Sequence, residues 1–193
     1  MNDYDAIVVG VGGMGSAAAY HLARRGRRVL GLERYDVPHG MGSSHGLTRI
    51  IRKAYYEHPD YVPLLERAYE LWRELDEDHP SKLLHTTGCV VAGPEGSEKV
   101  ESARASCEEH SIEYETLSAN ELGERHPGYD LPEGFEAVVE PAGGFLHVEQ
   151  CVVAHVEAAH ERGATIRARE GVRDWRPTAD GCVWVETDRG SYT

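Results

Sequence analysis

The chain has 193 residues, 40% hydrophobic and 27% charged, with 33 acidic against 20 basic side chains and a formal net charge of −13. That field repels phosphate backbones, which argues against nucleic acid as a partner. No stretch approaches the roughly 20 apolar residues that a membrane-crossing helix needs, and no basic segment leads into an apolar core at the N-terminus, so a soluble cytoplasmic protein is expected.

Lysine occurs only at Lys53, Lys82 and Lys99; the other bases are arginine. An acid-rich, lysine-poor surface suits a high-salt solvent, and codon bias explains the same counts equally well. The four cysteines, Cys89, Cys107, Cys151 and Cys182, form no C-x-x-C pair and have no zinc-ligand spacing, so reduced and mostly buried thiols are expected. The eleven histidines are scattered, and no metal site is read from them.

In chain order, Ala6–Val9 reads as a short buried strand, Gly10 to Gly15 as a turn, and Met14 to Arg25 as a helix of small residues closed by Gly26. Arg28–Leu32 is a second strand, which completes a minimal βαβ unit. Val37 to Gly46 is loop-like. Asp60 is placed to cap a helix running to about Asp76, with Leu64, Leu65, Ala68, Leu71, Trp72 and Leu75 on one face. Thr86–Gly93 reads as a strand with loop ends, Ser97 to His110 as an exposed helix, and Ser118-Ala119-Asn120-Glu121 as a capping box. Ala137–Glu140 and Gly144–Val148 read as a hairpin around Pro141-Ala142-Gly143. Glu149 to Arg162 is helical and ends at Gly163. Thr165–Arg169, Val172–Arg176 and Cys182–Thr187 are strands, and Ser191 to Thr193 begins another.

Gly10-Val11-Gly12-Gly13-Met14-Gly15 fits G-x-G-x-x-G, after a strand, at the head of a helix, with an acid where the second strand ends. Gly10 permits the tight turn, Gly12 lets backbone approach a pyrophosphate, and Gly15 lets the helix pack closely. The helix N-terminus offers free N–H groups and partial positive charge to a diphosphate. Glu33 can accept hydrogen bonds from ribose hydroxyls and would repel a 2′-phosphate, a repulsion that neighbouring Arg34 weakens. The fingerprint does not separate NAD from FAD.

The second informative stretch is GMGSSHGLTRIIRKAYYEH, Gly40–His58. A Gly/Ser loop exposes backbone N–H groups and hydroxyls of the kind that suit a diphosphate or a flavin ring. Arg49 and Arg52, three apart, would share a face in a helical turn and could clamp a carboxylate. A pair of surface arginines accounts for the same spacing.

Taken together, DAIVVGVGGMGSAAAYHLARRG, LERYDVPHGMGSSHGLTRIIRKAYYEHPDYVPLLERAYELW, TTGCVVAGP and EPAGGFLHVEQCVVAHVEAAHERGA resemble the N-terminal half of the monomeric sarcosine oxidase and N-methyltryptophan oxidase family, among the D-amino-acid-oxidase-like flavoproteins. The resemblance implies FAD as cofactor. By it, Gly10, Gly12, Gly13, Met14, Gly15 and Glu33 match ADP-binding positions, and Arg34, Ser43 and Ser44 match nucleotide contacts. His45 and Arg49 match residues near the isoalloxazine, and Arg52 matches the residue that binds the substrate carboxylate. The implied reaction is oxidation of a secondary N-methyl amino acid with dioxygen as acceptor, giving hydrogen peroxide and an imine that hydrolyses. The implied partners are a small carboxylate-bearing amino acid, with no nucleic acid and no membrane, and the assembly a monomer if the chain is complete. An NAD-dependent dehydrogenase and a non-catalytic FAD-binding protein are the alternatives.

The chain departs from the family at Ser44-His45-Gly46-Leu47, where His-His-Gly-Asp is frequent, and at Tyr55-Tyr56-Glu57-His58, where Tyr-Gly-Glu-Gly is frequent. The family's flavin-linking cysteine and oxygen-activating lysine lie in its C-terminal half, so none of the four cysteines is given the linking role. The 193-residue chain alone is expected to be inactive. The fold class expected is α/β, α+β overall: a Rossmann-like FAD-binding domain of the glutathione-reductase/D-amino-acid-oxidase type with an inserted part of a β-sheet substrate domain. Its segments are expected at 1–85 and 150–193 for FAD binding and at 86–149 for substrate.

Overall fold

Strand β1 (Ala6–Val9), helix α1 (Gly13–Arg24) and strand β2 (Val29–Leu32) form the expected βαβ unit in the computed structural model, which describes residues 4–193. β1 and β2 run parallel, with Ala6 opposite Val29 and Val9 opposite Leu32. β9 (Thr165–Arg167) joins the far side of β2, giving the order β1-β2-β9. α1 packs against α5 (Val148–Glu161) through Ala19, Tyr20, Ala23 and Ala159, over Val29 and Ala164. The alanines matter because side chains this small let two helices and a sheet approach closely. Both helices end as read: Gly26 and Gly163 adopt φ of +74° and +84°, which only glycine takes without strain. β10 (Val172–Pro177), β11 (Val183–Thr187) and β12 (Ser191–Tyr192) form an antiparallel sheet, whose Val185 and Tyr192 cover Leu30 and Leu32.

The chain divides into two compact units, Met1–Thr48 with His147–Thr193, and Arg49–Leu146. The second contains β3 (Arg49–Ile51), a 3-10 turn at Pro59–Tyr61, α2 (Val62–Asp78), β4 (Leu84–Thr86), β5 (Cys89–Pro94), α3 (Glu98–Glu109), β6 (Glu115–Ser118), α4 (Ala119–Arg125), β7 (Phe135–Glu140) and β8 (Gly144–Leu146). Two antiparallel sheets, β3-β8-β4 and β5-β7-β6, carry it. The stretch 49–85 packs in this unit, whereas the sequence placed it with the FAD-binding segment. The reason is pairing: β3 and β4 both bond to β8, Ile51 and Thr86 each lying opposite Gly144.

Several local expectations are corrected. Ala137–Glu140 and Gly144–Val148 are not a hairpin. The Gly143 N–H does donate to the Glu140 carbonyl at 3.3 Å, but β7 pairs with β5 and β6 while β8 pairs with β3 and β4, so the turn passes the chain from one sheet to another. The strand read with loop ends over Thr86–Gly93 is β5, which runs on to Pro94; Gly88, at φ +81°, lies in its leading loop, and Thr86 belongs to β4. α2 buries Val62, Tyr69 and Leu75 rather than a leucine stripe, and Leu64 is 67% exposed. α3 buries Val100, Ala103, Ser106 and Cys107 and is therefore half-covered. The capping box at α4 forms as read: the Glu121 carboxylate accepts the Ser118 N–H at 2.9 Å, and the Ser118 hydroxyl accepts the Glu121 N–H. Among the described residues, no helix is long and apolar enough to cross a membrane.

Candidate functional site

The turn from β1 into α1 is built by glycines with separate duties. Gly10 sits at φ +86° and donates its N–H to the Leu32 carbonyl at 2.8 Å, which joins the turn to the end of β2. Gly15 lies so close to that turn that a Cβ would fall 1.8 Å from the Gly10 carbonyl oxygen. α1 therefore starts hard against the strand it follows. Its N-cap, Gly12, supplies no side-chain acceptor, and no acid stands in the first turn. A helix N-terminus of this kind presents N–H groups and positive potential outward.

Glu33 closes β2 and turns toward the glycine loop. The residue is buried, 4% exposed. Oε2 accepts the Val11 N–H at 2.8 Å and Oε1 the Tyr35 N–H at 3.0 Å. Ser44 approaches from the other side, its Oγ accepting the Gly13 N–H at 3.0 Å. A Cβ at position 13 would lie 2.9 Å from that Oγ, so a side chain there would displace the Ser44 hydroxyl.

These groups surround a cavity of about 620 Å³ whose wall includes Gly10, Gly12, Gly13, Met14, Gly15 and Glu33. Ser43 and Ser44 line it as well, as do Pro38, His39 and Tyr35, which the sequence reading had not singled out. Pro38 and His39 stand inside the loop flagged as Val37 to Gly46, but no spacing rule marks a loop residue as a wall. Val152 comes from α5, more than a hundred residues along the chain, and only the fold brings it there. Arg34 is exposed and lines, with Gly171 and Val172, an adjoining hollow that shares Gly10 and Glu33 with this cavity. His45 is exposed in the same unit.

Arg49 and Arg52 belong to the second unit. They do not share a helical face: Arg49 begins β3 and Arg52 follows its end, so the clamp expected from helical spacing does not form that way. The Arg52 guanidinium lies 3.2 Å from a Glu57 carboxylate oxygen and over the rings of Tyr55 and Tyr56, at 5.0 and 4.5 Å. Beyond it, the fully buried Glu140 carboxylate accepts the Lys53 and Ala54 N–H groups at 2.9 Å, which fixes the backbone leaving β3. Cys89 and Cys107 in this unit are free thiols. Burial, assisted by Glu140, raises both, Cys107 to about 11, so both stay protonated and unreactive at neutral pH.

A glycine cradle, a helix N-terminus whose N-cap residue carries no side chain and a carboxylate facing the loop are the chemistry of a dinucleotide site. The cavity volume falls in the usual range for ligand sites, roughly 300–1,000 Å³. The fold and this cavity define a dinucleotide-binding unit of the βαβ class. Over residues 5–193 the chain belongs to the family described as FAD dependent oxidoreductase. It is 43% identical to the monomeric sarcosine oxidase of Bacillus sp. (strain NS-129), with 98% of this chain and 49% of that protein covered. It is 38% identical to the N-methyl-L-tryptophan oxidase of Yersinia pestis (strain Pestoides F), covering 85% and 44%. The open form of NikD, an unusual amino acid oxidase essential for nikkomycin biosynthesis, superposes with a TM-score of 0.86 at 34% identity, covering all of this chain and 49% of that one. The chain spans about half the length of the curated relatives it matches.

Proposed function

We propose that this chain forms part of an FAD-dependent oxidase of secondary N-methyl amino acids, similar in substrate class to sarcosine oxidase. The observation that carries the reading is the Glu33 carboxylate, bonded to the Val11 N–H in the wall of the glycine-loop cavity. Gly10, Gly12, Gly13 and Met14 would hold the ADP part of FAD, and Glu33 would take a ribose hydroxyl. Ser43 and Ser44 would contact the diphosphate, and His45 and Arg49 would lie toward the flavin.

FAD held there would supply the chemistry of two-electron amine oxidation, with dioxygen as final acceptor, hydrogen peroxide as co-product and an imine that would hydrolyse. The chain's own residues bind and orient. Arg52 would take the substrate carboxylate in place of the Glu57 carboxylate, a bidentate match that fixes which end of the amino acid points away from the reacting nitrogen. The Tyr55 and Tyr56 rings beneath the guanidinium would hold it ready for that exchange.

The test is anaerobic addition of sarcosine and larger N-methyl amino acids to the full-length, flavin-loaded protein. Loss of the flavin absorption band is expected with at least one of them. A flavin that stays oxidised with every secondary amine would end the oxidase reading, and a colourless protein that binds NADH would replace the cofactor.

A further inference from the structure

The loop after β2 is tied at two points to the two halves of the dinucleotide fingerprint. At its far end Ser44 Oγ receives the Gly13 N–H from the start of α1. At its near end stands His39, a half-buried ring tilted against Tyr35 with centroids 5.1 Å apart. His39 Nδ1 accepts the Met41 N–H at 3.0 Å, so Nδ1 carries no proton and the ring hydrogen sits on Nε2. Nε2 faces Glu33 Oε1 at 3.4 Å. Oε1 thus takes the Tyr35 N–H as its donor and has the His39 ring edge 3.4 Å away, while Oε2 takes the Val11 N–H. A carboxylate has about four lone-pair sites, so this leaves acceptor capacity on the Oε2 side, the side bonded to the glycine loop.

We propose that His39 is a positioning residue for the cofactor: its Nε2–H orients the Glu33 carboxylate toward the glycine loop, and its Nδ1 shapes the turn that carries Ser43 and Ser44 into the cavity wall. The two ring nitrogens have separate duties, one to the acid and one to the strap. The inference rests on the reading that FAD occupies this cavity. His39 touches no reacting atom; it acts through Glu33 and through the strap.

Side-chain amides separate the two duties. Gln reaches the Nε2 position and can donate to Glu33, whereas Asn reaches only the Nδ1 position and can accept the Met41 N–H. Flavin-free full-length protein, wild type and His39→Ala, His39→Asn and His39→Gln, would be titrated with FAD by flavin fluorescence and with ADP by calorimetry. Far-UV circular dichroism would confirm that each is folded. The Ala variant, which keeps neither duty, is expected to bind both ligands about tenfold more weakly. The Gln and Asn variants, which keep one duty each, are expected to fall between Ala and wild type, with Gln the tighter of the two. Asn matching wild type while Gln fails would show that the ring serves only the local turn, and equal affinity in all four proteins would show that it serves neither; either overturns the proposal. Nitrogen-15 shifts of His39 in the unliganded wild type supply a readout without cofactor: a proton on Nδ1 overturns the proposal whatever the variants do. Wild type that binds neither FAD nor ADP would instead bring down the cofactor reading, and the proposal with it.

Discussion

Gly15 is the residue where local chemistry leaves least choice. Its missing side chain is not a matter of backbone freedom, since no positive φ is needed there; it is a matter of space. A methyl group 1.8 Å from the Gly10 carbonyl oxygen and 3.3 Å from Val8 Cγ1 would force α1 away from the β1 turn. Gly15→Ala is therefore expected to cost roughly 1–3 kcal/mol of stability, the range for forcing volume into a packed site. It should lower FAD retention as well, because the helix N-terminus moves with the helix. Gly40, whose Cβ would meet nothing within 4 Å, is the matched control, and Gly40→Ala should unfold at the wild-type urea midpoint. Equal midpoints for the two variants would show that the close approach of α1 to β1 contributes nothing. This residue was legible in the sequence because the fingerprint states its spacing. Gly13 was legible only as a member of the pattern. Its reason, the Ser44 hydroxyl facing it, comes from thirty-one positions away.

Helices and strands were legible where periodicity and caps agree, as in β1, α1, β2, the capping box of α4 and the glycine-ended α5. They were misread where pairing decided the outcome. Arg49 to Ile51 looked compatible with a helical turn and is a strand because β8 offers it a partner. β7 and β8 looked like a hairpin because a turn joins them, yet each finds other strands. The α1–α5 contact holds a further feature that no local pattern shows. His155 of α5 is 5% exposed and meets Tyr20 at 5.6 Å and His21 at 6.3 Å between ring centroids. Burial first, and then His21, lowers its pKa from 6.5 to about 4. The folded protein thus holds His155 neutral where the unfolded chain would protonate it. Its contribution is complete above pH 6.5 and is lost as the pH falls from there to about 4, up to about 3 kcal/mol in all. Urea unfolding across pH 4 to 7.5 is expected to show that acid loss, and His155→Leu should flatten it. A variant whose acid limb parallels wild type would mean that His155 is already solvated.

At the scale of the whole molecule, net charge sets the behaviour. Ion pairs at the surface are mostly exposed, among them Arg67–Glu70 and Arg28–Asp5, and solvent screening leaves such pairs contributing little. They do not offset the long-range repulsion of a chain with 33 acids and 20 bases. Repulsion of this kind acts on the compact state more than on the unfolded one, and salt weakens it: the screening length falls from about 10 Å at 0.1 M to about 3 Å at 1 M. Added salt also weakens the exposed pairs, but the excess of acids makes the repulsive sum the larger. The melting temperature is therefore expected to rise by several degrees between 0.05 and 1 M potassium chloride. Chloride is preferred to sulfate here, because sulfate strengthens burial by exclusion from the surface and would raise the melting temperature of any protein. A melting temperature that is flat or falls over this range would mean that the charges are already paired locally, and the excess of acids would then reflect codon usage rather than solvent.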